Sequence, residues 1–220
     1  MERKTNILLG FFITSLILAN TLGSKITTIL GVRVSVGIFF VPLIFLITDI
    51  ISEVHGFKRA RNFFWISVMS MIFTLIMMYV CIKLPANETW NNQDAYQNVF
   101  SSSIRMTIAS IIAFLISQYH DILSFEFWKT KTKGKFLWLR NNFSTIVSQF
   151  LDTSIFMFIA FYKMTPKFTI PFIFSLIIPY WLFKIAFAIL DTPLCYLGVK
   201  WLKKTKEHSS SESLAKEEKN

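Results

Sequence analysis

The sequence predicts an all-α integral membrane protein, a bundle of about six transmembrane helices with the N- and C-termini in the cytoplasm. Hydrophobic residues make up 53% of the 220 residues and charged residues only 16%, whereas soluble domains carry about 25% charged residues. The apolar residues gather in six runs, and Lys and Arg gather in alternate segments between these runs. Only 7 Gly and 2 Cys occur, which excludes collagen-like and disulfide-framework classes.

Each apolar run is interpreted as one membrane span. In chain order the spans are residues 7–22, 34–51, 63–84, 104–123, 143–162 and 171–199. About 20 helical residues cross the roughly 30 Å of hydrocarbon, and the runs lack the strict alternation of barrel strands. The first run follows Arg3 and Lys4 as a signal peptide would, but it is long and no small-residue cleavage site follows it. The last run holds Pro179 and Pro193, so it tilts, kinks or divides into two shorter pieces.

The basic residues fix the predicted orientation. The net charge is +10, which in a soluble protein would suggest nucleic acid, but here the basic residues flank membrane spans and indicate the lipid bilayer instead. With the N-terminus inside, 16 of the 23 Lys and Arg residues fall in inner segments and five in outer ones, as the positive-inside rule requires. Residues 1–202 then form a single transmembrane domain, and residues 203–220 form a disordered polar cytoplasmic tail. Residues 86–103 are predicted to be a polar outer loop.

Polar residues inside the spans are the candidates for function. These residues are Asn20, Asp49, Arg105, Gln118, Asp121, Gln149, Asp152, Lys184 and Asp191, with Glu53 at the end of a span. An ionised residue at the bilayer centre costs about 2.5–3.5 kcal/mol, and Asp152 and Lys184 lie deepest. They must therefore face the bundle interior, a partner or water. The alternative to a functional site is a buried polar network that only fixes helix packing.

The spacing of these residues groups them on shared helix faces. Asp49 and Glu53 are four residues apart, and Lys184 and Asp191 are seven apart. A short internal repeat also relates the fourth and fifth spans. Its copies are Ser117-Gln118-x-x-Asp121-x-x-x-Phe125-x-Phe127 and Ser148-Gln149-x-x-Asp152-x-x-x-Phe156-x-Phe158, at an offset of 31. The two spans run antiparallel on this topology, and paired elements of opposite orientation build midplane sites in transporters. Coincidence in a chain rich in Phe and Ser is the alternative.

The residues argue against an enzyme and for a carrier. The three histidines are scattered, and no metal-ligand spacing, nucleophile motif or phosphate-binding loop occurs, so no metal or cofactor is expected. The local motifs of an intramembrane aspartyl protease are missing as well. Without an ATP-binding motif, transport draws on an ion gradient or on a separate protein. Buried carboxylates could carry protons for it. A structural helper protein is the remaining alternative.

An ordered series of motifs resembles the queuosine precursor transporter family, also called the vitamin uptake transporter family. The series covers residues 7 to 204 and consists of Ala19-Asn20, Lys25, Pro42, Asp49, Glu53-x-His55-Gly56, Ala60-Arg61, Arg105, Ser117-Gln118-x-x-Asp121, Arg140-Asn141-Asn142, Ser148-Gln149-x-x-Asp152-Thr153, Lys184 and Thr192-Pro193. His55 stands where the family often has Tyr. The resemblance implies six helices in the bacterial inner membrane and uptake of 7-deazaguanine precursors of queuosine, namely preQ0, preQ1 or queuine. Direct contact with nucleic acid is not expected.

The implied substrate suggests a role for each polar residue. A purine-like base presents N–H donors that a carboxylate accepts in charge-assisted hydrogen bonds. We expect Asp152 and Gln149, with Asp121 and Gln118 opposite, to bind the base, and Asn20, Arg105 and Lys184 to line or gate that site. Asp49, Glu53 and Asp191 would serve the gate or proton coupling. The sequence leaves open the precursor, the oligomeric state, and whether Lys184 pairs with Asp152 or Asp191. A second reading is a substrate-binding membrane subunit that needs a separate energising ATPase.

Overall fold

The computed structural model describes residues 2–29, 31–131, 137–190 and 193–203, and they form long helices with one small hairpin. The elements in chain order are α1 (Glu2–Leu22), β1 (Ile26–Ile29), β2 (Val32–Ser35), a short 3-10 helix (Val36–Phe39), α2 (Val41–His55), α3 (Phe57–Lys83), α4 (Gln93–Lys131), α5 (Leu137–Phe161), α6 (Ile170–Leu190) and α7 (residues 193–203). The predicted tail beyond residue 203 lies outside the described residues, so its disorder stays a prediction.

Length and hydropathy identify most of these helices as candidate membrane spans. Within the described residues, five segments are long and apolar enough to cross a bilayer: Glu2–Leu22, Val36–His55, Lys58–Lys83, Gln93–Ser117 and Ile170–Phe187. A further apolar segment, Ile146–Phe161, is shorter. Large apolar side chains such as Met69, Phe73, Ile76 and Val80 are exposed along one face of α3, as expected for a helix that faces lipid. The prediction of an all-α membrane protein is confirmed.

The second predicted span begins later than the hydropathy suggested. Residues 26–35 form an antiparallel hairpin in which Ile26 pairs with Ser35 and Ile29 with Val32, and α2 starts only at Val41, with Pro42 in its first turn. The expectation of a helix from residue 34 is therefore wrong for residues 34–35, whereas Val36–Phe39 form a 3-10 helix that leads into α2 and belongs to the same apolar span. The physical reason is that a short apolar run rich in β-branched residues suits a strand as well as a helix.

The end of the hairpin at residues 34–35 packs into the bundle, while its turn is exposed. Val34 and Ile38 are buried in one apolar cluster with Met106 of α4, Phe161 of α5 and Ile177 of α6, among other residues. This cluster holds the hairpin against α4, α5 and α6. The hairpin therefore covers the end of the bundle at which α5 ends and α6 begins.

A polar contact fixes the path of the chain between α1 and the hairpin. The Ser35 hydroxyl donates to the Gly23 carbonyl at 2.6 Å and accepts from the Gly37 amide at 3.1 Å. Both glycines lie against the last turn of α1. A Cβ at Gly23 would be 2.2 Å from the Ala19 carbonyl oxygen, and one at Gly37 would be 2.9 Å from the same atom. The tight turn at the end of α1 requires glycine at position 23, and the close approach of the chain after the hairpin to α1 requires glycine at position 37.

The substitution Gly23→Ala is therefore expected to destabilise the protein by about 1–3 kcal/mol, because the added methyl group displaces backbone that cannot yield. Thermal unfolding of the purified protein in detergent measures the effect. Gly10→Ala is the matched control, since a Cβ at Gly10 of α1 meets nothing within 4 Å. We expect the control to unfold at or above the wild-type temperature. Equal midpoints for Gly23→Ala and wild type would contradict the close packing.

The remaining helices differ from the predicted spans mainly at their ends. Helix α4 has 39 residues, about 58 Å, so it extends beyond residues 104–123 and includes part of the predicted outer loop. Hydropathy cannot detect these polar ends. For residues 171–199 the structure describes the helical stretches α6 and α7, and residues 191–192 between them lie outside the described residues, so whether this run tilts, kinks or divides stays a prediction. Pro179 lies inside α6.

The start of α1 and the end of α7 approach each other at one end of the bundle. A salt bridge of 3.1 Å joins Arg59, in the first turn of α3, to Glu2 of α1. Lys4 donates to the Trp201 carbonyl of α7 at 2.9 Å, with its ammonium 4.4 Å from the centre of the Trp201 ring. The start of α1 and the end of α7 thus lie on the same side. That this side is the cytoplasm stays a prediction.

Candidate functional site

An ion pair between α5 and α6 is the centre of the candidate site. Lys184 Nζ lies 2.8 Å from Asp152 Oδ2, and the two side chains are 10% and 23% exposed. Each residue sits well inside an apolar helix, where hydrocarbon would solvate neither charge. Their contact offsets part of the cost of placing them there. It also answers the pairing that the sequence left open, because Lys184 contacts Asp152.

Helix α4 adds a row of hydroxyl and imidazole groups beside the pair. The Ser117 hydroxyl lies 3.5 Å from Asp152 Oδ1, at the limit of hydrogen-bond distance. One turn further along α4, His120 Nδ1 lies 3.1 Å from the Ser148 hydroxyl of α5, and Ser124 lies 3.2 Å from His120 Nε2. Three helices therefore contribute polar groups to one region of the bundle interior.

These contacts also show how the two copies of the internal repeat face each other. Ser117 of the first copy contacts Asp152 of the second, while Arg105 contacts the end of α5 near residues 159–162. Residues later in α4 thus contact residues earlier in α5, so the two helices are antiparallel as predicted. The polar residues of both copies lie in the same few turns of the α4–α5 contact.

Three buried polar atoms beside the ion pair have no partner among the described residues. They are Gln149 Oε1, Thr153 Oγ1 and Ser154 Oγ, and Thr153 is only 1% exposed. Gln149, Asp152 and Thr153 are spaced so that they lie on one face of α5. Each buried group without a hydrogen bond costs about 1–3 kcal/mol. A binding site can carry this cost, because a bound ligand supplies the missing hydrogen-bond partners.

Two predicted site residues lie elsewhere in the bundle. Arg105 donates from Nε to the Ile159 carbonyl at 2.7 Å and from Nη2 to the Tyr162 carbonyl, so it binds the C-terminal end of α5. It precedes Ser117 by twelve residues of α4, about 18 Å. Asn20 is buried on α1, and its amide donates to the Leu16 carbonyl of its own helix at 2.8 Å. The structure does not bring either residue to the ion pair.

The other predicted residues lie on α2 or outside the described side chains. Asp49 and Glu53 are exposed on α2, and the neighbouring His55 Nε2 lies 3.0 Å from the Thr5 hydroxyl. The side chains of Gln118 and Asp121 lie outside the described residues, although their backbone belongs to the same turns of α4 as Ser117 and His120. Asp191 lies outside the described residues altogether. Among the described residues, no group of three or more His, Cys, Asp or Glu could hold a metal ion.

Sequence reasoning missed four polar side chains at this site, those of His120, Thr153, Ser154 and Ser124. Hydroxyl side chains are common in membrane helices, where they usually donate hydrogen bonds to backbone carbonyls of the preceding turn. Their spacing therefore does not distinguish a binding site from an ordinary helix. His120 looked isolated along the chain because its neighbour Ser148 is 28 residues away. Only the internal repeat, which included Ser117 and Ser148, pointed toward this contact.

The fold and the site define a helical membrane protein with a charged, incompletely bonded site between its helices. The sequence pattern of the family described as putative vitamin uptake transporters matches residues 35–198, and the chain belongs to this family. The resemblance seen in the motifs is thereby confirmed, and the protein is a transporter and not an enzyme.

Two relatives are similar over much of the chain. The probable queuosine precursor transporter of Bacillus subtilis (strain 168) is 30% identical over 186 residues, which cover 84% of this chain and 80% of that protein. The queuosine precursor transporter of Escherichia coli (strain K12) is 30% identical over 141 residues, which cover 64% of this chain and 61% of that protein. No solved structure gives a significant match.

Proposed function

We propose that this protein imports 7-deazaguanine precursors of queuosine across the bacterial inner membrane. The observation that carries the proposal is the Asp152–Lys184 pair, 2.8 Å apart, beside the unpartnered atoms of Gln149 and Thr153. A site with buried charge and open hydrogen-bonding groups suits a flat, polar, uncharged ring system. The names of the two relatives support the same class of substrate.

The chemistry of the base matches the groups on α5. A guanine-type edge carries N1–H and a 2-amino group, and a carboxylate accepts both in parallel. Asp152 has lone pairs left for this after its contacts with Lys184 and Ser117. The Gln149 amide offers an acceptor and two donors for the remaining ring atoms. Gln118 and Asp121, from the matching turns of α4, complete the proposed site.

The energy for uptake is proposed to come from a proton gradient. Asp49 and Glu53 lie on the last two turns of α2, at the end of the bundle where α1 begins and α7 ends, and acidic groups placed there could release protons. The test uses liposomes that contain this protein alone. Accumulation of a base only under an imposed pH gradient would support coupling, whereas equilibration without accumulation would exclude it. Dependence on an added ATPase would instead favour a binding subunit.

The import function is tested in a bacterium that lacks both queuosine synthesis and its own importer. We expect the protein to restore queuosine in tRNA when one precursor is supplied at low concentration, measured by mass spectrometry of digested tRNA. The empty vector gives the background. If no precursor restores queuosine while immunoblots find the protein in the membrane, the proposed substrate class is wrong.

A further inference from the structure

The ion pair offers a donor and an acceptor side by side. Lys184 carries three N–H donors, and only one is directed at Asp152 Oδ2. Among the described residues, Asp152 Oδ1 has one long contact, with Ser117. Both groups therefore keep hydrogen-bonding capacity toward the same region.

This inference rests on the proposed function. We propose that Lys184 is a specificity residue that donates a hydrogen bond to the 6-oxo group of the base. Asp152 accepts hydrogen bonds from N1–H and the 2-amino group of the same base. On a guanine-type edge the 6-oxo acceptor lies directly beside the N1–H donor. A donor and an acceptor 2.8 Å apart can form hydrogen bonds to such neighbouring groups at the same time, as side chains do when they recognise the edge of a DNA base. The ion pair then reads three adjacent positions of one edge.

This arrangement predicts which bases the site rejects. A 6-amino group would point N–H bonds at the ammonium of Lys184, and neither group could accept. The ring nitrogen beside a 6-amino group carries no hydrogen, so Asp152 would lose a donor as well. Sites built to hydrogen-bond a particular group reject analogues that leave their buried polar groups unpaired. Lys184 should therefore exclude 6-amino bases even when they retain the 2-amino group.

The test is competition for binding to the full-length protein in detergent. The probes are 7-deazaguanine and 7-deaza-2,6-diaminopurine, which differ only at the 6-position and the adjacent ring nitrogen. We expect the wild type to prefer 7-deazaguanine by at least about 100-fold. Lys184→Gln should lower this preference at least about tenfold, because an amide can donate to an oxo group or accept from an amino group. Lys184→Arg keeps only donors and should stay within about threefold of wild type.

The controls separate this inference from the proposed function. Lys83→Gln, at the exposed end of α3, should leave the preference unchanged. Gel filtration of each variant confirms that it is folded, and thermal stabilisation by 7-deazaguanine gives a second measure of binding. An unchanged preference in Lys184→Gln would overturn the role of Lys184 alone, whereas no preference in the wild type would also overturn the recognition of N1–H by Asp152. Failure of the wild type to bind either base would contradict the proposed function itself.

Discussion

Replacing Asp152 by Asn is expected to lower uptake at least about 100-fold at equal membrane abundance. The substitution keeps the shape of the side chain but removes the charge that Lys184 contacts and one of the acceptors that the base requires. Hydrogen bonds to charged groups contribute about 1.5–3 kcal/mol each, and the base would lose one of them and the charge that strengthens the other. Initial uptake rates normalised to immunoblot intensity measure the effect. Asp94→Asn, an exposed carboxylate in the first turn of α4, is the matched control.

The same substitution also disturbs the fold, so its effect on uptake needs a second variant. Removing one partner of a fully buried pair costs about 3–5 kcal/mol, and we expect about 2–3 kcal/mol here because Asp152 remains 23% exposed. The exchange Asp152→Lys with Lys184→Asp restores an ion pair with its direction reversed. We expect this double variant to regain abundance and thermal stability but not uptake. Recovery of uptake as well would show that the pair only holds α5 and α6 together.

The charged centre of the site could be predicted from the sequence because its physical signal is large. Two charges deep in apolar spans need a partner or a function, and Asp152 and Lys184 prove to be each other's partner. The apolar runs likewise predicted the helices, since a run of about 20 apolar residues indicates a helix that spans the membrane. These inferences depend only on the residue types within a short stretch of the chain, and they need no knowledge of contacts between distant residues.

The features that were missed depend on contacts between distant parts of the chain. The hairpin at residues 26–35 follows from packing of Val34 against α4, α5 and α6, and its apolar, β-branched sequence fits either secondary structure. Arg105 looked like a site residue because it is a charge within a span, yet its partners are carbonyl groups. No pattern distinguishes a carbonyl as a partner, since every residue has one. His120 and Ser148 likewise meet only because α4 and α5 are antiparallel.

The contact of Arg105 with α5 leads to the second large expected effect, which is on stability. The last carbonyl groups of a helix lack partners within the helix, and Arg105 donates to two of those near the end of α5, at Ile159 and Tyr162. A cation at this position also interacts favourably with the helix dipole. Arg105→Met should cost about 3 kcal/mol or more, since it removes two charge-assisted bonds. The unfolding midpoint in detergent should fall by roughly 6–12 °C for a chain of this size.

Conservative and distant variants show whether this effect belongs to the end of α5. Arg105→Lys keeps the charge but lacks the guanidinium fork, so we expect it to recover about half of the lost stability. Arg33→Met removes an exposed cation near the Phe172 ring and should change the midpoint little. Because α5 carries Gln149, Asp152 and Thr153, loosening its end should also weaken base binding. If Arg105→Met unfolds like wild type yet loses uptake, Arg105 acts on the substrate path, as the sequence first suggested, and not through the end of the helix.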